Sequence, residues 1–152
     1  MNVLISIYTD MLLSLSQGNY RGNISLSKPI FILSILESIN KGDIKDNEIT
    51  LNNIDLTNTF AGLYNHYNGN INGLKSSSFL NPFFHLATSD FYHLIWKEGV
   101  KQPPMSSTPS GKYLRENLLY AKLDDELWDL LQDAENREFL KHKIINNYLT
   151  NK

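Results

Sequence analysis

Apolar residues recur at Val3, Leu4, Ile7, Tyr8, Met11, Leu12 and Leu15, the three-and-four spacing that turns one face of a helix inward. The pattern predicts an amphipathic helix over residues 3–16, ended by Gln17-Gly18-Asn19. Residues 18–27 are polar and read as a loop. Pro29 then stands at a first helical position after Ser27-Lys28, where its missing N–H costs nothing. The run from Ile30 through Leu33, Ile35, Leu36 and Ile39 is apolar nearly all round. It predicts a central, buried helix that stops near Asn40-Lys41-Gly42.

Further along, residues 48–51 form a short extended segment. A third helix follows, capped by Asp55 or Thr57, with Phe60, Leu63, Tyr64 and Tyr67 on one face. Residues 68–78 are rich in glycine, asparagine and serine and predict an exposed loop. Residues 83–87 and 91–95 read as two short strands joined by the turn Thr88-Ser89-Asp90. A second long loop, 99–112, contains Pro103-Pro104 and Pro109-Ser110-Gly111; loops of this length are uncommon in compact domains unless they act. Asp124 or Asp125 caps a short helix bearing Leu127, Trp128, Leu130 and Leu131, and a last helix spans 134–149 with Leu140, Ile144 and Tyr148 in step. The expected fold is a single, mostly helical α+β domain over residues 1–152, with a small β-hairpin and long exposed loops.

Composition narrows this picture. Of 152 residues, 41% are hydrophobic and 20% charged, the balance of an ordinary globular domain. There is no cysteine, which excludes disulfides and thiolate metal sites and fits a cytoplasmic location. No apolar run reaches the roughly 18 residues of a membrane span, so no membrane partner is expected. Residues 1–15 lack a basic leader and are interrupted by Asp10, so they read as a helix of the fold rather than a signal segment.

The net charge of −2 argues against a protein that coats nucleic acid non-specifically. The charge is nevertheless uneven. Residues 18–29 carry Arg21 and Lys28 and no acid, and residues 56–87 carry Lys75 and no acid. Acids gather in 37–55 and 124–138. Folding that joins the two acid-free segments creates a neutral-to-positive face.

Enzyme signatures are missing. The chain contains no GxxxxGK[ST], GxSxG or HExxH, and no GxGxxG after a strand. Its histidines are His66, His85, His93 and His142. His85 and His93 face each other across the expected hairpin, with Asp90 at its turn, but the sequence names no third ligand to complete a metal site. A structural or surface role is expected for both. Asp124, Asp125 and Glu126 read as a helix start favoured by the macrodipole, not as a catalytic pair. Neither catalysis nor a cofactor is expected.

Three landmarks, in order, carry a resemblance. The first is Ser27-Lys28-Pro29 running into Ile30-Phe31-Ile32-Leu33-Ser34-Ile35-Leu36. The second is Asn81-Pro82-Phe83-Phe84-His85-Leu86 followed by Asp90-Phe91-Tyr92-His93-Leu94. The third is Leu114-Arg115-Glu116-Asn117 through Tyr120-Ala121-Lys122-Leu123-Asp124 and Glu126-Leu127-Trp128 to the helix at 140–149. Together they span roughly residues 20–150. The set resembles the sulfur-binding domains of HNH-type modification-dependent restriction endonucleases, with their His-Lys/Arg-Pro helix start, aromatic-Pro-Phe segment and Asp-Gly-Phe-Trp strand.

The resemblance implies a non-catalytic module that binds double-stranded DNA at a phosphorothioate and serves bacterial restriction through a fused or associated HNH nuclease. Carried over by position, the sulfur pocket comprises Ser27, Lys28, Asn81, Pro82 and His85. Lys28 and Pro82 match the pattern directly. Ser27 stands in place of its histidine, Asn81 in place of its aromatic residue and His85 in place of a small one. Tyr20, Arg21, Asn23, Lys28, Lys75 and Lys112 are the expected phosphate and base contacts, asparagine being suited to adenine in the major groove.

Chemistry independently describes what such a pocket needs. Sulfur is larger, more polarisable and less strongly hydrated than the phosphate oxygen it replaces, so an apolar dent loses less in accepting it. The stem of a long cation and a proline ring suit the dent, with the cationic head left to hold the remaining oxygen. Three alternatives stand beside this reading: the same fold targeting a nuclease to unmodified DNA, a helical protein-interaction module, and, last, a hydrolase of unrecognised type.

Overall fold

The computed structural model describes residues 3–20, 23–68 and 79–150. Its elements follow the order α1 (Val3–Leu12), β1 (Asn19–Tyr20), β2 (Asn23–Ile24), α2 (Ser27–Lys41), α3 (Ile54–Asn68), α4 (Leu80–His85), β3 (Tyr92–Trp96), α5 (Gly111–Asn117), β4 (Leu118–Leu123), α6 (Asp125–Leu130) and α7 (Ala134–Ile144). The chain is an α+β domain in which helices predominate, as its periodicity predicts.

α2 is the axis of the core. Ile30, Phe31, Ile32, Leu33, Ile35 and Leu36 are all buried, which is why this stretch shows no polar face. Pro29 falls on the third helical residue rather than the first, still within the turn whose N–H groups have no intrahelical acceptor. The helix stops where Gly42 takes a positive φ of 83°. The Asp43 N–H then donates to the Ser38 carbonyl and the Gly42 N–H to that of Ile39, closing the helix end in a left-handed cap. α3 packs along α2. Its cap is Asn53, whose Oδ1 accepts from the Leu56 N–H at 3.1 Å, and not Asp55 or Thr57, which lie inside the helix.

The predicted hairpin of 83–87 with 91–95 is corrected. Its first arm is helical: α4 continues into a 3-10 turn, Leu86–Thr88. Phe83, Phe84 and Leu86 are all fully buried, and two adjacent inward residues are incompatible with the alternation of a half-exposed strand. The second arm, β3, pairs antiparallel with β4 across a long connection, with Tyr92 opposite Leu123 and Ala121 opposite Leu94. On its other side Ala121 bridges Ile49, so the extended segment expected over 48–51 is reduced to a single bridge residue, with Leu51 already in a turn. A second small antiparallel pair, β1 with β2, lies within the stretch read as a loop.

Aromatic contacts set α4 against α2. The Phe31 ring meets Phe79, Phe83 and Tyr92 edge-on at 5.5, 6.2 and 5.9 Å between centroids. The buried Tyr92 hydroxyl donates to the Phe83 carbonyl at 2.6 Å, satisfying one of the carbonyls left open at the end of a short helix. At the far end of the chain α7 runs as expected but loosens into a π-helical segment, Ile145–Leu149. Among the described residues no helix is long and apolar enough to cross a membrane.

Candidate functional site

The packing of α4 on α2 brings Lys28 and His85 together from opposite ends of their helices. Lys28 lies in the first turn of α2, and His85 is the last residue of α4. The Lys28 ammonium donates to Ser16 Oγ at 2.9 Å and to Thr88 Oγ1 at 3.1 Å. The Thr88 hydroxyl in turn donates to the His85 carbonyl at 3.0 Å. The His85 ring Nε2 lies 2.8 Å from Thr108 Oγ1, on the long 97–110 connection. Four segments far apart in sequence therefore meet around two basic side chains.

Among the described residues, the side-chain partners of both half-buried bases are hydroxyl groups, not carboxylates. Burial without a counter-charge disfavours the charged form of each. Desolvation pushes the Lys28 pKa below its ordinary value. The His85 ring is lowered from 6.5, first by desolvation and then by the neighbouring Lys28 charge. Positive charge held in a place that penalises it is stabilised by an arriving anion, because the anion supplies the missing opposite charge.

The other residues expected at the site take different positions. Ser27 is buried, hydrogen-bonded to Ser25 Oγ at 3.1 Å and to Tyr64, so its hydroxyl fastens the start of α2 onto the core. Pro82 is buried within α4, and Asn81 beside it is exposed. Lys112 is exposed in the first turn of α5. Tyr20 and Asn23 belong to the β1–β2 pair, and their side chains lie outside the described residues, as do Arg21 and Lys75 entirely.

The His85–His93 pairing is also corrected. With 83–87 helical, His85 turns to Thr108, whereas His93 on β3 pairs with Asp124 at 2.5 Å. Asp124 also accepts from the Tyr8 hydroxyl at 2.8 Å. Its carboxylate thus joins α1 to the sheet instead of bonding the first N–H groups of α6. Among the described residues no group of three or more His, Asp or Glu is placed to hold a metal ion.

Sequence reasoning missed Ser16, Thr88 and Thr108. Single hydroxyls on loops leave no periodic trace, and only the tertiary fold brings them to Lys28 and His85. A third acid-free stretch was legible, however: residues 99–115 carry Lys101, Lys112 and Arg115 and no acid.

No family model matches the chain, and neither does any curated protein. Its fold is similar to a solved structure described as the sulfur binding domain of ScoMcrA complexed with phosphorothioated DNA, with a TM-score of 0.68. The match covers 93% of this chain and 86% of that one, at 14% sequence identity. The fold implied by the three landmarks is therefore the fold found, while identity this low transfers no residue roles.

Proposed function

We propose that this chain is a non-catalytic DNA-binding module that recognises a phosphorothioate in double-stranded DNA. The observation that carries this reading is the Lys28–His85 cluster: two half-buried bases with hydroxyl partners and, among the described residues, no carboxylate partner, in the fold of a domain solved with phosphorothioated DNA. The Lys28 head holds the non-bridging oxygen, and the wall built on α4 around Pro82 packs against sulfur. Sulfur favours such a place because it surrenders less hydration than oxygen and gains more dispersion attraction. Asn81, exposed beside Pro82, edges the pocket, and Ser27 supports it from beneath by fixing the start of α2.

His85 departs from the small residue of the resembling domains, and its position beside Lys28 gives it a role. It adds a second donor to the phosphate group and narrows the pocket. Lys112, with Arg21 and Lys75 on the acid-free segments, engages neighbouring phosphates, while Tyr20 and Asn23 reach towards base edges. Such a module acts by delivering an attached or associated nuclease, the HNH type of the resemblance, to modified DNA in the cytoplasm. No carboxylate orients His85 among the described contacts, so its approach to the Thr108 hydroxyl does not build a nucleophile–base–acid triad.

The test is a binding comparison at two salt concentrations, using a short duplex with one Rp phosphorothioate and the identical unmodified duplex. Preferential binding of the modified duplex, weakening as salt rises, is the expected outcome. Equal, salt-sensitive binding to both assigns the module to unmodified DNA. Binding to neither removes a nucleic-acid role and leaves the protein-interaction reading.

A further inference from the structure

The 97–110 connection forms an open cleft of about 390 Å³ lined by Pro103, Pro104, Ser107, Pro109, Ser110 and Tyr113. Its walls are mainly proline rings and one aromatic face. Tyr113 gives the cleft a fixed side. Its backbone N–H is capped by Ser110 Oγ at 3.1 Å, its hydroxyl donates to the Lys101 carbonyl at 3.3 Å, and its ring meets Trp96 edge-on. Pro104 of the cleft wall is exposed, as is Met105 next to it in the chain.

Two further observations say what fills this cleft. The first is continuity with the Lys28–His85 cluster. Thr108, which holds the His85 ring, lies between Ser107 and Pro109 of the cleft wall. The second is charge. The segment from Gly99 to Arg115 carries Lys101, Lys112 and Arg115 without one acid, although the whole chain is net negative. An apolar, ring-lined cleft bordered by cations matches the backbone of a duplex, where the deoxyribose presents an apolar edge between charged phosphates.

We infer that this cleft is a second contact of the same DNA, receiving the sugar and base edge of a nucleotide near the one held at Lys28, with Lys101 and Lys112 on its phosphates. The inference rests on the DNA-binding reading above and adds a surface that does not discriminate sulfur from oxygen. Proline and tyrosine faces pack against any deoxyribose or base edge, so the cleft contributes affinity and Lys28 with Pro82 contributes preference. The Thr108–His85 hydrogen bond couples the two contacts, since a group moving the His85 ring also shifts the cleft wall.

The experiment uses the full chain with the modified and unmodified duplexes, each carrying 5-iododeoxyuridine at successive positions beside the phosphorothioate or its unmodified equivalent. Irradiation should cross-link Tyr113 or Met105, located by peptide mapping. In parallel, the exposed-loop variant Pro103→Ser/Pro104→Ser should bind both duplexes about five- to tenfold more weakly, with the preference for sulfur unchanged. Parent binding with cross-links only outside 101–115, or a variant that binds like the parent, overturns the cleft while leaving the DNA-binding reading in place. Absence of binding by the parent overturns both.

Discussion

Among the described residues, two lysine–histidine pairs have opposite surroundings. Lys122 and His93 face each other across β4 and β3, and each has a carboxylate. Lys122 binds Asp125 at 2.8 Å, and His93 binds Asp124 at 2.5 Å. Its hydrogen bond to Asp125 raises the Lys122 pKa, and the same bond lowers that of Asp125. Lys28 and His85 instead have hydroxyl neighbours, and both are pushed towards their neutral forms. Residue type is the same, yet one pair has carboxylate partners within the fold and the other has hydroxyl partners. On the proposed reading, a basic residue serves the nucleic-acid site where the protein has not already supplied its counter-charge.

Substitutions should separate the two pairs. The largest effect is expected for Lys28→Ala, which removes a desolvated charge-assisted contact. DNA affinity should fall about tenfold to a hundredfold, or ~1.5–3 kcal/mol, in fluorescence anisotropy, while the melting temperature stays near that of the parent. Parent-like affinity would show that the cluster is not the DNA site.

Next in size, Asp124→Ala acts on stability rather than binding. It leaves the Tyr8 hydroxyl and the His93 ring without their acceptor, at a cost of about 1–2 kcal/mol after allowing for partial exposure. Chemical denaturation would register this as a lower midpoint, with DNA affinity retained by the folded protein. An unchanged midpoint would remove the structural role assigned to this pair.

A smaller effect should appear with pH. The free His85 ring has a pKa below 6.5, so it is mainly neutral near neutrality. A bound phosphate favours the protonated ring, and binding therefore takes up a proton. Affinity should accordingly rise as pH falls, by about threefold to tenfold between about pH 7.5 and about pH 5.5. His85→Gln should flatten that profile and His93→Gln should leave it intact. A profile that depends on His93 would reverse the comparison.

The smallest change is expected for Lys122→Ala. Its ion pair with the exposed Asp125 is screened by water, and titration calorimetry should record the same DNA affinity as the parent. A measurable loss would mean that counter-charge does not decide which lysines bind.

Legibility in the sequence followed periodicity. α2 was readable because buried residues fill every side of it and Gly42 ends it; α7 was readable through Leu140 and Ile144. The 83–87 segment was not, because a short, wholly buried apolar run looks the same as helix or strand. Its error displaced His85 by putting it opposite His93. β4 escaped notice because its pairing with β3 is non-local and Leu118–Leu123 abuts α5 without a turn. Lys28 at the start of α2 and Pro82 within α4 stand in local motifs that the sequence displays directly. The hydroxyls of Ser16, Thr88 and Thr108 do not, since their association depends on contacts up to 60 residues apart.

The most direct measurement follows the histidine ring resonances by NMR while the Rp-phosphorothioated duplex is added. The His85 signals should shift, and their titration should move to higher pH in the complex, while the His93 signals keep their positions on addition of DNA. Shifts confined to His93, with His85 unmoved at saturating DNA, would contradict the assignment of the Lys28–His85 cluster as the anion site.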